Sequence, residues 1–402
     1  MKILIQKFGG TSVSTHERRL LVVNKILKAI EEGFSPVVVV SAMGRKGQPY
    51  ATDTLLSLIS DEFKKNTLAV DLLMSCGEII STVVTSDELS KNGLQSVPLT
   101  GGQAGIITDD NYNNGSVLRV QPERLLNILR EGKIPVVAGF QGISENGYVT
   151  TLGRGGSDTT ASLLGVALKA EEIQIYTDVD GIMTADPRIV SDASLIEEIG
   201  YNEVFQFADQ GAKVIHPGAV EIAAKGNIPL VIKNTLNDCK GTIISGKAMQ
   251  ISNNIIDGIT SMDDRVQVTV ECDKNKDNEN YYVLFDELAN NSISLDLINV
   301  FLNQKIFTID KKNMENLKII MKNLGLQYSY IEDCTKIALI GSGMRGIPGV
   351  MARILKVLAK ENIQILQTAD SHTTIWCLVR SKDVEKAVNA LHREFKLGGE
   401  CN

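Results

Sequence analysis

The sequence predicts an α/β protein: a largely parallel sheet sandwiched by helices, followed by two smaller α+β repeats. Three observations predict it. Up to about residue 244, short β-branched runs alternate with helix-length stretches, which gives parallel strands with helices on both faces. The runs are continuously apolar, as in VVVV at 37–40, the composition of strands buried on both faces. Beyond residue 262 the order changes to βαββαβ and then begins again.

The first 13 residues, MKILIQKFGGTSV, are a short apolar strand that runs into Lys7, Phe8, Gly9 and Gly10. Thr11 and Ser12 are placed to cap a helix over 16–30. The strand at 37–40 ends on Ser41, and helices follow at 54–59 and 71–85. Strands at 134–140, 172–176 and 228–232 alternate with helices at 159–168 and 212–224. Parallel sheets place ligands at the carboxyl ends of their strands, and the polar and glycine clusters sit at those ends. Residues 239–254, rich in small and polar side chains, are the linker candidate. The first repeat comes next, with strand 266–272, helix 281–290, strands 293–300 and 305–310, helix 314–324 and strand 327–331. The second has strand 336–341, helix 349–361, strands 363–368 and 374–379, and helix 384–395, and then lacks its last strand. Residues 255–262 are predicted to supply it, so that the first repeat is inserted into the second. The expected division is 1–244 for the α/β domain, 245–262 for linker and completing strand, and 263–334 and 335–402 for the repeats.

A chain of 402 residues predicts two or three domains. The formal charge of −7 argues against a broad nucleic-acid or anionic-membrane surface. Six cysteines are scattered without CxxC or Cys/His spacing, so neither a zinc site nor disulfides are expected. No signal peptide and no apolar run long enough to span a bilayer is apparent, so a reducing, cytoplasmic location is expected.

A Gly-Gly turn after a strand exposes bare backbone N–H groups, and Lys7 adds a point charge, a combination suited to phosphate oxygens at a helix N-terminus. No GxxxxGK[ST] loop occurs. A second glycine cluster, Arg154-Gly155-Gly156-Ser157-Asp158, precedes an Ala/Leu-rich helix. Arg154 offers a planar fork for a carboxylate, while Asp158 either caps the helix or orients a reacting group. The excursion from Thr177 to Arg188 reads either as a surface turn or as a nucleotide loop. In the second reading Asp178 faces ribose or purine, Met183 gives apolar contact and Arg188 meets phosphates. Lys213 opens the helix predicted at 212–224, where a cation opposes the dipole unless an anion compensates. Glu78, among apolar neighbours, is either at a solvated edge or the partner of an ammonium group. The four histidines show no catalytic or metal spacing, and 273–280 (DKNKDNEN) reads as a solvated loop.

In order, KFGGTSV, VVVSAMG, SCGE, TLGRGGSDTTA, TDVDGIMTADPR and GAKVIHP resemble the aspartokinases of the amino-acid kinase family, and the two repeats resemble their paired ACT domains. The resemblance spans the chain and is nearest the monofunctional bacterial, diaminopimelate-sensitive kind. It implies phosphorylation of the β-carboxylate of L-aspartate by ATP with Mg2+, the first step toward lysine, diaminopimelate, threonine and methionine. It also implies roles. Lys7 stabilises the phosphoryl group in transfer, Gly9 and Gly10 donate amides, and Asp158 organises the site. Arg154 grips the α-carboxylate, with Ser41, Thr52, Glu78, Gly155 and Ser157 completing the substrate pocket. Phe8, Thr177, Asp178, Met183, Arg188, Lys213 and Val214 line the ATP site, with Met183 where many relatives carry tyrosine. In the second repeat, the turn 341–350 and the strand end at 367–370 resemble an ACT effector site, formed by Met344, Gly346, Pro348, Gly349, Val350, Ala369 and Asp370. The corresponding turn of the first repeat, 272–280, lacks the Gly-x-Pro-Gly element, so the effector site is expected at the second. Lysine, threonine or diaminopimelate is the expected effector, and a homodimer or higher oligomer is expected through the repeats. Competing readings are another amino-acid kinase, acting on glutamate, N-acetylglutamate, carbamate or UMP, and a non-catalytic amino-acid sensor.

Overall fold

The computed structural model describes residues 1–211, 214–246, 255–271, 279–344 and 347–399, with backbone only for 279–282. Two compact units emerge. The first comprises Met1–Ile182, Leu195–Asp209 and Lys213–Ile251, and the second Met183–Ser194, Gln210–Ala212 and Ser252–Asn402. The sequence-expected boundary at 244 therefore misses two excursions that the chain makes into the second unit.

The first unit is built on an eight-stranded sheet. Its spatial order is Glu198–Ile199, Thr242–Ile244, Leu230–Asn234, Glu172–Thr177, Lys2–Phe8, Phe34–Val40, Ile134–Ala138 and Ser96–Leu99. All neighbours are parallel except Leu230–Asn234 with Thr242–Ile244. Residues 242–244 thus belong to this sheet rather than to a linker, and 247–254 lie outside the described residues. Lys2–Phe8 is central and buried, and side-chain alternation sorts its two faces. Gln6 donates to the Lys25 carbonyl of the helix His16–Glu31, and Phe8 packs with Val22, Val23 and Ile26 on that same side. Ile5 and Lys7 face the other way, toward the helix Gly156–Leu168.

The 25-residue helix Thr67–Lys91 runs well past the predicted 71–85. By length and composition it could cross a membrane, contrary to expectation. Here it buries Asp71, Glu78 and Glu88 together with Val70, Met74 and Leu89. Asp71 explains one of these acids: its two oxygens accept from the amides of Asn113 and Thr151 and from the Thr151 hydroxyl at 2.7–3.1 Å. These bonds oppose burial, which still raises the carboxyl above its ordinary value. Thr151 ends a four-stranded sheet that short strands at Val117–Val120, Ile106–Thr108, Gln141–Ser144 and Val149–Thr151 form and that sequence reasoning missed. Strands of three or four residues carry too little periodicity to detect.

A second difference concerns 212–224. A helix Tyr201–Asp209 precedes, and the next begins only at Pro217, with His216 as its cap. Proline suits the first helical position, and the residue before it is pushed toward extended backbone. Residues 214–216 are therefore turn, and the dipole argument for Lys213, which itself lies outside the described residues, no longer applies.

The second unit carries a six-stranded sheet. Its order is Asp296–Val300, Gln304–Asp310, Gly258–Glu271, Tyr328–Ile340, Thr374–Arg380 and Gln367–Asp370. The two central strands are long, and each serves both repeats. Gly258 to Met262 pairs with Ile340 to Lys336, while Gln267 to Val270 pairs with Ile331 to Tyr328, across a register shift. The segment expected to complete the second repeat lies beside that repeat's first strand. The predicted strands 293–300 and 363–368 begin late, at Asp296 and Gln367, for one shared reason. Ser292 and Asn362 turn left-handed, and Ile293 and Ile363 bond back to Leu288 and Leu358. Each buried isoleucine closes the preceding helix instead of starting a strand.

Candidate active site

Four parallel strands end together, as the register Phe8 with Val40, Val40 with Ala138 and Phe8 with Tyr176 requires. The loops leaving these four ends form one rim. After Phe8 the chain turns so tightly that a Cβ on Gly10 would lie 2.4 Å from the Ala42 carbonyl. The Gly44 amide donates to the Gly10 carbonyl at 2.9 Å, and the Ser41 amide to that of Phe8 at 3.1 Å. Only glycine admits this approach of two loops. After Ala138, Phe140 adopts φ 69°, a left-handed conformation rare for an aromatic residue. Its amide donates to the Thr160 hydroxyl at 3.1 Å, which ties it to the helix Gly156–Leu168.

That helix starts from Gly155, at φ 68°. A Cβ on Gly155 would fall 2.2 Å from Cγ of His216, so backbone and ring exclude every other residue type. Gly132 has a similar φ of 71° but open space around it. Gly155→Ala is therefore expected to cost about 3 kcal/mol, the left-handed penalty plus overpacking, and Gly132→Ala only about 1 kcal/mol. Denaturant midpoints of the two variants check this, and equal losses would show that the His216 contact does not matter.

Together these ends enclose a cavity of about 320 Å³ lined by Lys7, Gly10, Ser41, Ala42, Gly44, Thr52, Glu78, Phe140 and the run 153–158. Lys7 Nζ stands 2.6 Å from Asp158 Oδ1, both side chains mostly shielded, at 12% and 14% exposure. The contact is an ion pair by distance, without hydrogen-bond geometry at Oδ1. Asp158 occupies the first turn of its helix, so the acid there interacts favourably with the dipole while it holds the lysine. The side chain thus faces Lys7, and the cap position is taken by Gly155.

Glu78 is 3% exposed, and its Oε1 accepts from the Ala42 amide at 3.1 Å. Its Oε2 is buried without a hydrogen-bond partner among the described residues. Burial pushes the carboxyl up to about 8, and the Ala42 amide only partly opposes the shift. Glu78 therefore lines the cavity with a buried carboxyl and does not stand at a solvated edge. Arg154 is exposed and forms no ion pair among the described residues.

Every residue predicted for the substrate pocket lines this cavity, as do Lys7, Gly10 and Asp158. Ala42, Gly44, Phe140, Gly153 and Gly156 were not singled out. Gly153 adjoins, and Gly156 belongs to, a motif that signals them, whereas Phe140 is revealed only by its φ. The nucleotide residues fare differently. The Phe8 side chain is fully buried and stacks on Tyr176 with centroids 4.7 Å apart, so it is core and leaves only backbone for a ligand. Thr177 and Asp178 end the neighbouring strand outside the cavity lining, and Asp178 Oδ2 meets Arg45 at 2.5 Å near solvent. Val214 is in a turn, and Lys213 lies outside the described residues. Met183 and Arg188 belong to the second unit, where Arg188 forks onto Asp186 at 2.6–3.1 Å and holds that carboxyl below its ordinary value.

In the second unit, Met344 is buried in the 3-10 turn Ser342–Met344, and Gly349, at φ 92°, starts the helix Val350–Lys360. Pro348 lies in the turn before it, and Ala369 and Asp370 end the edge strand. Gly346 lies outside the described residues, as does 272–278 of the first repeat's turn.

The amino acid kinase family model matches residues 2–234, and an ACT domain model matches 329–393. Aspartokinase 1 of Bacillus subtilis is 44% identical over 403 residues, covering 99% of this chain and all of that protein. The crystal structure of E. coli aspartokinase III in complex with aspartate and ADP superimposes with a TM-score of 0.77 at 25% identity, over 98% of this chain and 99% of that one. Its complex with lysine and aspartate matches with a TM-score of 0.78 at 25% identity, over the same shares.

Proposed function

The chain belongs to the aspartokinase family, and from that premise we propose how its own residues divide the work. The reaction is transfer of the ATP γ-phosphoryl group to the β-carboxylate of L-aspartate, giving 4-phospho-L-aspartate and ADP. A carboxylate is already a nucleophile, so no strong base is required. Catalysis then rests on positioning and on neutralising charge spread over the equatorial oxygens.

The observation that carries the reading is the Lys7–Asp158 pair, which lines the same cavity as Glu78, whose Oε2 has no hydrogen-bond partner among the described residues. Glu78 takes the aspartate ammonium, which supplies the donor that Oε2 lacks. Arg154, uncommitted among the described residues, grips the α-carboxylate bidentately. Ser41, Thr52 and Ser157 give neutral hydrogen bonds, and the β-carboxylate is left toward Lys7. The lysine meets the phosphoryl group as negative charge shifts between donor and acceptor, and Asp158 keeps it aimed while no substrate is bound. The nucleotide enters as MgATP. The Gly9 amide donates to the Tyr176 carbonyl at 3.3 Å, contrary to the role expected of it, which leaves the Gly10 amide for the phosphates; Thr177, Asp178 and Val214 face the nucleoside, with Met183, Arg188 and Lys213 as further contacts.

Lysine, threonine or diaminopimelate acts as feedback effector at the second repeat, around Met344, Gly346, Pro348, Gly349 and Val350, facing Ala369 and Asp370. A relative's complex with lysine supports that class of ligand. Self-association through the repeats is supported by the outer strand Asp296–Val300, which with the next two residues leaves Ile298, Val300, Phe301 and Leu302 exposed on an edge. Unpaired thiols at Cys76, Cys239, Cys334 and Cys377 fit a reducing cytoplasm.

Trapping the acyl phosphate with hydroxylamine tests the reading. Hydroxamate forms only when MgATP and L-aspartate are both present, and an added effector lowers its rate. Equal yields with L-glutamate would refute the assignment.

A further inference from the structure

The Gly9-Gly10 turn leaves the central strand of the first unit between two neighbours, and the loops of both neighbours close against it. Phe8 pairs with Val40 on one side and with Tyr176 on the other. On the first side the Gly44 amide donates to the Gly10 carbonyl at 2.9 Å, and on the second the Gly9 amide donates to the Tyr176 carbonyl at 3.3 Å. Arg45 directly follows Gly44. Its amide donates to Gln48 Oε1 at 2.7 Å, and the Gly47 amide donates to Thr54 Oγ1 at 3.2 Å, so the backbone that carries the arginine is fixed locally. From there the side chain reaches the other neighbour, where Nη2 donates to Asp178 Oδ2 at 2.5 Å. A link between the exits of two flanking strands spans the exit of the strand between them. The guanidinium therefore crosses above the Gly9-Gly10 turn, and all of these residues belong to the first unit.

We propose that Arg45 binds the terminal phosphates of ATP, passing to them from Asp178 as Asp178 turns to the nucleoside. The inference rests on the assignment of Asp178 to the nucleoside and of the Gly10 amide to the phosphates. The two side chains are 70% and 39% exposed, and ion pairs so exposed shift an equilibrium by no more than about fivefold. An arginine fork on phosphate oxygens is worth about tenfold or more, so the guanidinium gains by exchanging carboxylate for phosphate. The released Asp178 gains as well, because the hydroxyl and amino groups of a nucleoside are donors that it can accept from. Other cations assigned to the reaction have different partners: Lys7 is held by Asp158, and Arg188 is forked onto Asp186. Arg45 is paired with a nucleotide residue, and so is set free by the nucleotide itself.

Calorimetric titration of the full-length protein without aspartate, using AMP and the β,γ-imido analogue of ATP in the presence of Mg2+, tests this. Arg45→Gln is expected to weaken the imido analogue about tenfold and AMP less than about twofold. Arg45→Lys, which keeps the charge but not the fork, recovers only part of the loss. Equal losses for both nucleotides, or none for the analogue, would overturn the proposal. So would a glutamine variant that binds the analogue normally and raises only KM for aspartate, which would put the guanidinium on the acid. Asp178→Asn breaks the same pair from its other side. It is expected to keep at least the wild-type preference for the analogue over AMP, whereas a merely structural pair would make both variants lose that preference alike. Asp178→Asn is also expected to weaken AMP. Unchanged AMP affinity would strike the assignment of Asp178 to the nucleoside while leaving the Arg45 comparison readable.

Discussion

Lys7→Ala is expected to keep the fold and lose about a hundredfold to a thousandfold in kcat, the usual cost of deleting one preorganised transition-state donor. Lys7 lies at the end of the central strand, whose neighbours are fixed by parallel pairing on both sides, so alanine leaves the backbone where it is. The loss falls on kcat because the ammonium group is held by Asp158 until charge develops on the transferring phosphoryl. Removing it leaves Asp158 beside a water-accessible cavity, a smaller penalty than an unpaired charge in a dry core. A thermal midpoint within a few degrees of wild type, with turnover reduced as stated, is the expected pair of results. Turnover near wild type would remove Lys7 from the reaction.

Glu78→Gln is the second large effect, and its sign with pH comes from burial. The carboxyl is pushed up to about 8, from an ordinary value of 4.5. Between those values the folded chain holds a proton that the unfolded chain has released. Ligand-free stability attributable to this group therefore falls as pH rises through that window, by up to about 1.4 kcal/mol per pH unit, and levels off above it. Glu78→Gln flattens that slope. Binding of the aspartate ammonium requires the ionised carboxylate, so below about 8 it must expel a proton. KM for aspartate in the wild type is expected to fall as pH is raised from 6 to 8, approaching about tenfold per unit. In the glutamine variant the slope disappears, and KM at pH 8 is higher by about a hundredfold, the loss of one desolvated charge pair. A variant that keeps both the wild-type KM and its pH slope would place the ammonium elsewhere.

Much of this site was legible in the sequence because its parts sit at strand ends, where glycine and polar clusters interrupt apolar runs. Lys7 with Gly9 and Gly10, Ser41 after four valines, and Arg154 to Asp158 before a helix each announce a strand-to-loop or loop-to-helix junction. Parallel pairing then brings those junctions together without any further signal. Glu78 was ambiguous for a physical reason. An acid in an apolar helix reads alike whether it faces solvent or a cavity, and only the orphaned Oε2 separates the two. Phe140 was invisible, because a left-handed aromatic residue has no compositional mark. The capture of Met183–Ser194 by the second unit was also hidden. Ala185 and Val190 look like loop residues, and their burial depends on a core assembled from residues 256–397, which no local pattern can report. The helix start at Pro217, by contrast, was there to be read from the proline itself.

If one cavity reads aspartate through its ammonium and α-carboxylate and delivers the β-carboxylate to Lys7, an acid without the ammonium is a poor substrate. Hydroxamate trapping with saturating MgATP, run in parallel on L-aspartate and N-acetyl-L-aspartate, tests this most directly. The N-acetyl compound keeps both carboxylates but has no ammonium for Glu78. Rapid hydroxamate formation is expected from L-aspartate, with a kcat/KM lower by at least about a hundredfold for the acetylated acid. Comparable kcat/KM values for the two acids would contradict the assignment of Glu78 and, with it, the orientation of aspartate toward Lys7.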